Sequence, residues 1–241
     1  MDRQAAEPTH HTMGRVQEFL KQIVFGGTDG IITTFAVVAG FAGAQAEGVV
    51  QIGGLAVLLF GLANLFADGG SMGLGEFLSL RAQQDLYRTR RSREMRAIAE
   101  HPEVQTGRLA NILRRKGLSP SEAETASAIL ARHPHIMTDM ILTQETGLRA
   151  PETESPVLNG LFTFGAFLTF GAVPLIPYLI SEATPETTRL SVVATFSALV
   201  LLGLLRWHAT DERLWRSVGE TVLVGTVCAV VAFVVGRLVG G

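Results

Sequence analysis

The chain has 241 residues, of which 47% are hydrophobic and 17% are charged, and its mean hydropathy is +0.31. These values exclude an ordinary soluble domain and are typical of a polytopic membrane protein. The net charge of −2 gives no reason to expect a nucleic-acid partner, and a single cysteine, Cys228, excludes an intrachain disulfide and a cysteine-cluster metal site.

The N-terminal region leads into a first apolar segment that contains a charge. Residues 1–20 are polar and lack the apolar core of a signal peptide, so we expect an uncleaved cytoplasmic tail. Residues 23–43 are apolar enough to cross a bilayer and hold one ionisable side chain, Asp29. A carboxylate at membrane depth costs about 2.5–3.5 kcal/mol, so it normally faces a bundle interior, a partner or a water-filled path. We predict that Asp29 binds a cation, with hydroxyl groups nearby on Thr28, Thr33 and Thr34; the alternative is a structural aspartate held by Gln22 or by the backbone.

The second apolar segment, residues 51–77, carries four possible ligands at a spacing of four: Asn64, Asp68, Met72 and Glu76. Each step of four advances about 400° around a helix, so the set stays on one side of it. Carboxylate and amide oxygens suit Mg²⁺, Ca²⁺ or Mn²⁺, and a thioether shifts the preference toward a softer ion such as Fe²⁺. We predict that these residues are metal ligands. Met72 as a packing residue and Glu76 as the partner of an arginine such as Arg81 remain alternatives.

Small residues predict how these two segments pack. Two pairs of glycines at a spacing of four would let helices approach closely: Gly26 with Gly30, and Gly69 with Gly73. We expect them to bring the two segments together, so that Asp29 faces Met72.

The polar stretch 81–156 predicts a small helical domain between the second and third apolar segments. No Gly or Pro interrupts 81–99, so the second helix should continue out of the bilayer to about Ala99. Terminal residues then mark three further helices. Pro102 begins the first and Gly117 ends it, a capping box of Ser119 and Glu122 begins the second, and Pro134 and Gly147 bound the third.

Four glutamates of this inserted domain are candidate metal ligands: Glu94, Glu100, Glu103 and Glu145. Other possible ligands occur near them, at His133, His135, Met137 and Met140. The alternative is that these charges form solvated faces or contacts with anionic lipid headgroups. Residues 81–116 hold ten Lys or Arg against four acidic residues, which would repel a cation unless the arginines point away.

Three more apolar segments complete five predicted membrane spans, at 157–180, 190–205 and 218–239. Pro174 and Pro177 should kink or end the third span near the outer face. The sequence thus predicts an all-α membrane protein with five transmembrane helices and a helical cytoplasmic domain inserted between helices two and three. The predicted regions are a tail (1–20), the first two spans (21–80), the inserted domain (81–156) and the last three spans (157–241).

The distribution of positive charge predicts the orientation in the membrane. Of the 20 Lys and Arg residues, all but Arg189 and Arg237 fall on the side of the tail and the inserted domain. By the positive-inside rule that side is cytoplasmic, and the C-terminus lies outside.

Four stretches of the chain resemble signatures of the vacuolar iron transporter family, in the family's order. FGGTDGIITTFAVVAGFAGA (25–44) resembles its first helix, in which an N-D-G-like turn precedes T-T-F-A-V-V-A-G. SMGLGEFLSLRAQQD (71–85) is similar to S-M-A-x-G-E-Y-x-S-x-x-S-Q-x-D at the end of its second helix. The stretches 155–180 and 219–240 resemble its third and fifth helices.

The resemblance implies a function and a set of site residues. It implies a five-helix protomer, a homodimer with the ion path at the two-fold axis, and export of Fe²⁺, often also Mn²⁺, from the cytosol in exchange for protons. Matched by motif, Asp29 and Met72 would lie in the path, with Glu76 at its cytoplasmic end. The metal is cargo, so no cofactor and no enzyme activity are expected. The chain would be a divergent bacterial member in the plasma membrane.

The chain departs from the family pattern at acidic positions. Members with a cytoplasmic metal-binding domain carry E-x-x-E and then E-H-P-E-x-E-x-x-E-L. Glu94 matches the first glutamate and Glu145, in QETGL, matches a final one, whereas three acidic positions are replaced, by Ala97, Gln105 and Arg108. In the second helix the family's acid two turns before the methionine is Asn64 here, and Asp68 lies one turn later.

One hypothesis and two alternatives follow. The hypothesis is proton-coupled export of Fe²⁺, with Mn²⁺ as a second candidate ion, through a homodimeric pore lined by Asp29, Asp68 and Met72. The first alternative is a non-transporting membrane scaffold or sensor of the same fold, with a degenerate metal-binding domain. The second is proton-coupled transport of a small organic cation, for which two Trp and two Tyr provide few aromatic contacts.

Overall fold

The computed structural model describes residues 19–46, 54–148, 155–181, 184–210 and 212–240, so nearly all of the predicted tail lies outside the described residues. The described ranges contain α-helices and one 3₁₀ turn, without a strand, which confirms the all-α prediction. In chain order the helices are α1 (Leu20–Ala46), α2 (Gly54–Glu100), α3 (Pro102–Arg115), α4 (Pro120–Leu130), α5 (Pro134–Thr146), α6 (Pro156–Gly171), α7 (Ile176–Ile180), α8 (Pro185–Ala209) and α9 (Leu214–Gly240).

Five stretches within the described residues are long and apolar enough to span a membrane. They are α1, α2, α6 together with α7, α8, and α9. The chain is therefore a multi-pass membrane protein, as the sequence predicts. The predicted bounds of the fourth span (190–205) were too short, because α8 runs for 25 residues. The side chain of Thr184 caps its start by accepting a hydrogen bond from the backbone N–H of Thr187.

The third span is interrupted where its prolines predict. Helix α6 ends at Gly171, a 3₁₀ turn covers Val173–Leu175, and α7 resumes the span. A proline inside a helix removes a backbone donor and clashes with the preceding turn, which explains the break. The hydroxyl of Ser191 on α8 donates to the backbone oxygen of Pro174 at 2.6 Å, so this buried carbonyl at the break is satisfied.

The chain divides into two compact units. Met1–Glu76 and Val157–Gly241 form one, here called the membrane unit, and Phe77–Pro156 form the other, here called the inserted unit. In the membrane unit α1 supplies much of the core. Phe35 and Val38 pack near Leu175, and Ile31 packs with Leu199 and Leu202 of α8.

Glycines let the backbones of the membrane unit meet. A Cβ on Gly26 would lie 2.5 Å from the backbone oxygen of Thr163, and one on Gly73 would lie 2.8 Å from that of Gly160. Gly30 and Gly69 likewise meet Phe167, so both glycine pairs face α6. The prediction that they join α1 directly to α2 was therefore wrong, because α6 supplies the backbone and the aromatic ring against which both pairs pack.

The inserted unit follows its predicted helix ends closely. Gly117 and Gly147 adopt positive φ angles of 106° and 69°, as expected after helices α3 and α5. The capping box of Ser119 and Glu122 forms at the start of α4, and α2 continues unbroken to Glu100. The unit has its own apolar core, formed by Ile98, Leu109, Ile112, Met137 and Ile141.

Candidate metal path

Helices α1 and α2 run antiparallel, and three contacts set their register. Gln22 Nε2 donates to Glu76 Oε1 at 3.2 Å, and the ring centroids of Phe41 and Phe60 lie 5.9 Å apart near the other end. Between these contacts, the carboxylates of Asp29 and Asp68 lie close enough for their charges to interact. This register places Asp29 near the turn of α2 that contains Asp68 and Met72.

The expectation that Asp29 faces Met72 stays a prediction. Four residues of helix rise about 6 Å, so Met72 lies one turn away from Asp68 along α2, toward Glu76. The two glycine pairs do not join α1 to α2, because they face α6, but the contact between Gln22 and Glu76 still brings the two helices together at this end. The metal-ligand role of Met72 likewise stays a prediction.

The acidic pair of Asp29 and Asp68 is half-buried, and no described residue is its partner of opposite charge. Within the described residues, neither the Asp29 nor the Asp68 carboxylate takes part in a hydrogen bond or an ion pair. Two like charges at membrane depth repel each other, and a shared cation or proton relieves that repulsion. The alternative of a structural aspartate held by Gln22 finds no support, because the Gln22 amide binds Glu76 instead.

The hydroxyl groups of Thr33 and Thr34, which follow Asp29 on α1, differ in their hydrogen bonds. The Thr33 hydroxyl donates to the backbone oxygen of Asp29 at 2.8 Å, which ties it to its own helix. Thr34 is fully buried, and its hydroxyl oxygen has no hydrogen-bond partner among the residues that the structure describes. A buried polar group without a partner is costly, so Thr34 is the hydroxyl with an unmet need for a ligand or water.

Glu76 is the last residue of the predicted row on α2, which consists of Asn64, Asp68, Met72 and Glu76, and it has two partners from α1. Lys21 Nζ lies 3.6 Å from Glu76 Oε1, and Gln22 donates to the same oxygen. Lys21 is 79% exposed, whereas the Glu76 side chain is 19% exposed, so the lysine can return to solvent when another cation replaces it beside Glu76.

Gln22 of α1 is a polar residue beside this row that the sequence did not lead us to predict as a ligand. Its Oε1 is buried and finds no hydrogen-bond partner in the described part of the chain, although its Nε2 binds Glu76. A signal was available: Gln22 precedes Asp29 by seven residues, nearly two full turns, which puts both residues on one side of α1.

Asn64 and Met72 complete the predicted row on α2. Asn64 borders an apolar groove between α1, α2 and α9, where Phe41, Phe60 and Ala232 also line the surface. Met72 is half-buried, like Asp68. No group of three or more His, Cys, Asp or Glu side chains able to hold a metal occurs among the residues that the structure describes. Ligation in one chain would therefore need Asn64, Met72, hydroxyl or backbone groups beside the acids.

In the inserted unit, two of the four predicted glutamates come together around an arginine. Arg108 Nη1 lies 2.7 Å from Glu94 Oε1, and Arg108 Nε donates to Glu145 Oε1 at 2.9 Å. Glu100 and Glu103 are exposed at the α2–α3 junction. Met137 is fully buried in the core, and His135 Nδ1 lies 3.3 Å from Arg91 Nη2. The metal-ligand role of the four glutamates stays a prediction.

Glu145 should make the stability of the inserted unit depend on pH. The hydrogen-bonded Arg108 guanidinium, with the charge of Arg115 nearby, holds the pKa of the Glu145 carboxyl below its ordinary value of 4.5. A carboxyl with a lowered folded-state pKa stabilises the fold above its unfolded-state pKa, and that contribution is lost as the pH falls through the folded-state value.

We therefore expect the free energy of unfolding of the inserted unit to fall as the pH drops below about 4.5. Glu145→Gln should be less stable than the parent at neutral pH and should lose less on acidification. Hydrogen exchange of α5 peptides, corrected for the intrinsic pH dependence of exchange, measures both effects. Equal acid sensitivity in the two proteins would contradict this assignment.

Comparison with known proteins decides the family. A model of the VIT family matches residues 20–237, which is most of the chain. The chain belongs to the VIT family.

Three VIT-family relatives illustrate the similarity. Vacuolar iron transporter 1 of Arabidopsis thaliana is 31% identical over 231 residues, covering 95% of this chain and 88% of the relative.

The similarity reaches beyond plants. The vacuolar iron transporter of Plasmodium berghei (strain Anka) is 31% identical over 238 residues, covering 95% of this chain and 84% of the relative. That of Toxoplasma gondii (strain ATCC 50861 / VEG) is 29% identical over 230 residues, covering 92% and 74%. The family resemblance read from the sequence is confirmed. VIT-family members are transporters and not enzymes, in agreement with the prediction.

Proposed function

We propose that this protein exports Fe²⁺ from the cytosol in exchange for protons, and that it also accepts Mn²⁺. The observation that carries the proposal is the acidic pair of Asp29 and Asp68 on adjacent membrane-spanning helices. Within the described residues no group donates a hydrogen bond to either carboxylate. Since unpaired charges at membrane depth are costly, this pair needs a cation or a proton. The names of the relatives, which are iron transporters, indicate which cation.

The proposed route follows the row of polar groups on α1 and α2. The ion first meets Glu76 and the partnerless oxygen of Gln22, while Lys21 moves away into solvent. It then passes the Met72 thioether, a soft ligand that suits Fe²⁺ better than Mg²⁺ or Ca²⁺. At the acidic pair, carboxylate oxygens bind it, and Asn64 offers an amide oxygen one turn farther along α2.

Protons couple to the ion because both compete for the same oxygens. A metal ion binds deprotonated carboxylates, so its arrival at Asp29 and Asp68 releases protons, and protonation from the outer side releases the ion. This exchange needs no covalent chemistry.

We also propose that two copies of the chain enclose the path. Asp68 and Met72 are only half-buried in one chain, which leaves a side of α2 open. That helix exposes large apolar side chains, including Phe66 and Leu74, and a Cβ on Gly70 would meet no atom of the described residues within 4 Å. Small residues beside open apolar surface suit close packing of helices in a membrane.

The orientation proposed for the chain has the inserted unit in the cytoplasm and the C-terminus outside. The excess of Lys and Arg on the side of the inserted unit supports it. We propose the bacterial plasma membrane as the location, whereas the relatives named above are vacuolar iron transporters.

Transport by the purified full-length chain in liposomes tests the proposal. Fe²⁺ or Mn²⁺ entry, followed with a metal-quenched dye inside the vesicles, should exceed that of protein-free liposomes. A pH gradient with the acidic side inside should accelerate it, because protons leaving the lumen then drive the ion inward. Flux of both ions at the protein-free level would overturn the proposal, and flux insensitive to the gradient would overturn the proton coupling.

The inserted unit favours a second candidate, a membrane scaffold or sensor that does not transport. Two of its predicted metal-binding glutamates are paired with Arg108. A scaffold should show no measurable affinity for Fe²⁺ or Mn²⁺ in the same purified protein, so a binding titration beside the flux measurement separates the two candidates.

A further inference from the structure

Arg108 joins three helices of the inserted unit through one guanidinium group. From α3 it donates from Nη1 to Glu94 Oε1 on α2, at 2.7 Å, and from Nε to Glu145 Oε1 on α5, at 2.9 Å. Its Nη2 reaches the second oxygen of Glu145, and Nη1 also donates to Gln105 Oε1 at 2.9 Å. Three of its nitrogens thus have acceptors, and Glu145 is held by two parallel bonds.

The network borders the apolar core and is partly shielded from water. The exposed fractions are 13% for the Glu94 side chain, 35% for Arg108 and 28% for Glu145. Leu109, the next residue after Arg108, is fully buried in the core of the unit. Charge-assisted bonds in such a setting are stronger than exposed ion pairs, and a bidentate arginine–carboxylate pair also fixes the geometry of its partners.

The residues here do not fit a divalent ion while Arg108 is present. A guanidinium stays protonated at any physiological pH and is attached to the chain, so a metal ion would have to displace it from both carboxylates. The charge of Arg115 also acts on Glu145 and would oppose a second cation. Within the described part of the chain, no third acidic, histidine or cysteine side chain completes a metal-binding group.

We propose that Arg108 is the permanent cation of this carboxylate cluster, so that the inserted unit holds its arrangement of α2, α3 and α5 without any metal ion. Glu94 and Glu145 then serve to bind Arg108 and do not capture cargo. Removing the arginine uncovers a latent divalent site. This inference is independent of the proposed transport, since it concerns the inserted unit alone.

Mn²⁺ titration of the full-length protein in detergent, with free Mn²⁺ followed by electron paramagnetic resonance, tests the proposal. The parent and the double variant Glu94→Gln/Glu145→Gln should bind the same number of Mn²⁺ ions per chain. Arg108→Glu, which replaces the cation by a third carboxylate, should bind one more. The triple variant R108E/E94Q/E145Q should lose that extra ion.

A matched control is Arg114→Glu on the same helix. Among the described residues Arg114 pairs with Glu124 alone, at 2.6 Å, and the same charge reversal there should add no Mn²⁺. A parent protein that loses an ion when Glu94 and Glu145 become glutamines would overturn the proposal. So would a monodisperse R108E protein that gains none.

Hydrogen exchange of the parent protein gives a test that needs no variant. Peptides from α3 and α5 should exchange at the same rate with Mn²⁺ and with a chelator, because no ion is part of this cluster. Slower exchange in Mn²⁺, confined to these peptides, would show that the unit binds a metal despite Arg108 and would overturn the proposal even if R108E fails to fold.

Discussion

Asp29→Asn is expected to reduce Fe²⁺ and Mn²⁺ flux in liposomes at least tenfold. Asparagine keeps the size of the side chain and an oxygen ligand but removes the charge that binds the ion and carries the proton. A loss of only about 1.4 kcal/mol of interaction free energy corresponds to a factor of ten. The measurement is the initial rate of metal entry at equal protein per vesicle, together with the effect of the pH gradient, which should disappear as well.

The matched control is Asp85→Asn in the inserted unit. Asp85 is 65% exposed, and its nearest ion-pair partner, Arg88, lies 3.9 Å away, so this pair contributes little. We expect flux close to that of the parent, because Asp85 lies outside the proposed route and an exposed pair of this kind contributes only about 0.2–1 kcal/mol to stability. Equal flux in the parent and in Asp29→Asn would remove Asp29 from the path.

Gly26→Ala is expected to destabilise the membrane unit by about 1–3 kcal/mol, the range for overpacking a close-packed interior. The added Cβ would lie 2.5 Å from the backbone oxygen of Thr163, so relief requires the main chain of α1 or α6 to move. Thermal unfolding in detergent, followed by tryptophan fluorescence, should show a lower midpoint. Trp207 and Trp215 both lie in this unit.

The matched control is Gly165→Ala, which adds the same methyl group to a helix and so separates the effect of the clash from the effect of helix propensity. A Cβ at Gly165 meets no atom within 4 Å, so this variant gains the helix propensity of alanine without the clash. Its midpoint should equal or exceed that of the parent. If both variants unfold at the same temperature, the close approach of α1 and α6 does not limit stability.

Helix ends and membrane spans could be predicted from the sequence, because both depend on residues that are close together in the chain. Helix ends in the inserted unit follow from proline, glycine and capping residues, which act within a turn of where they stand. Gly117 and Gly147 both take the positive φ angle that their positions at helix ends predict. Apolar length alone identified the five membrane spans.

Contacts between distant residues could not be predicted in the same way. The glycine pairs were visible as small-residue spacings, but nothing in that spacing says that α6 is their partner. Arg108 is 14 residues from Glu94 and 37 from Glu145, so its role as a bridge depends on how three helices pack. The row on α2 was predicted from its period, and the spacing of Gln22 from Asp29 indicates one side of α1. The hydrogen bond between Gln22 and Glu76 depends on the register between α1 and α2, which the sequence does not show.

The backbone contacts of α1 bear on how the protein changes conformation. Side chains between two helices can change rotamer when the helices shift, but main-chain atoms in direct contact cannot. Sliding or twisting one such helix against the other therefore causes steric clashes. We expect α1 and α6 to travel as a rigid body during transport. Helix α9 is expected to move with them, because Gly236 meets the backbone of Gly40 on α1 and Gly43 meets that of Phe233 on α9. The alternation between inward-open and outward-open states would then arise from movement of other helices against this group.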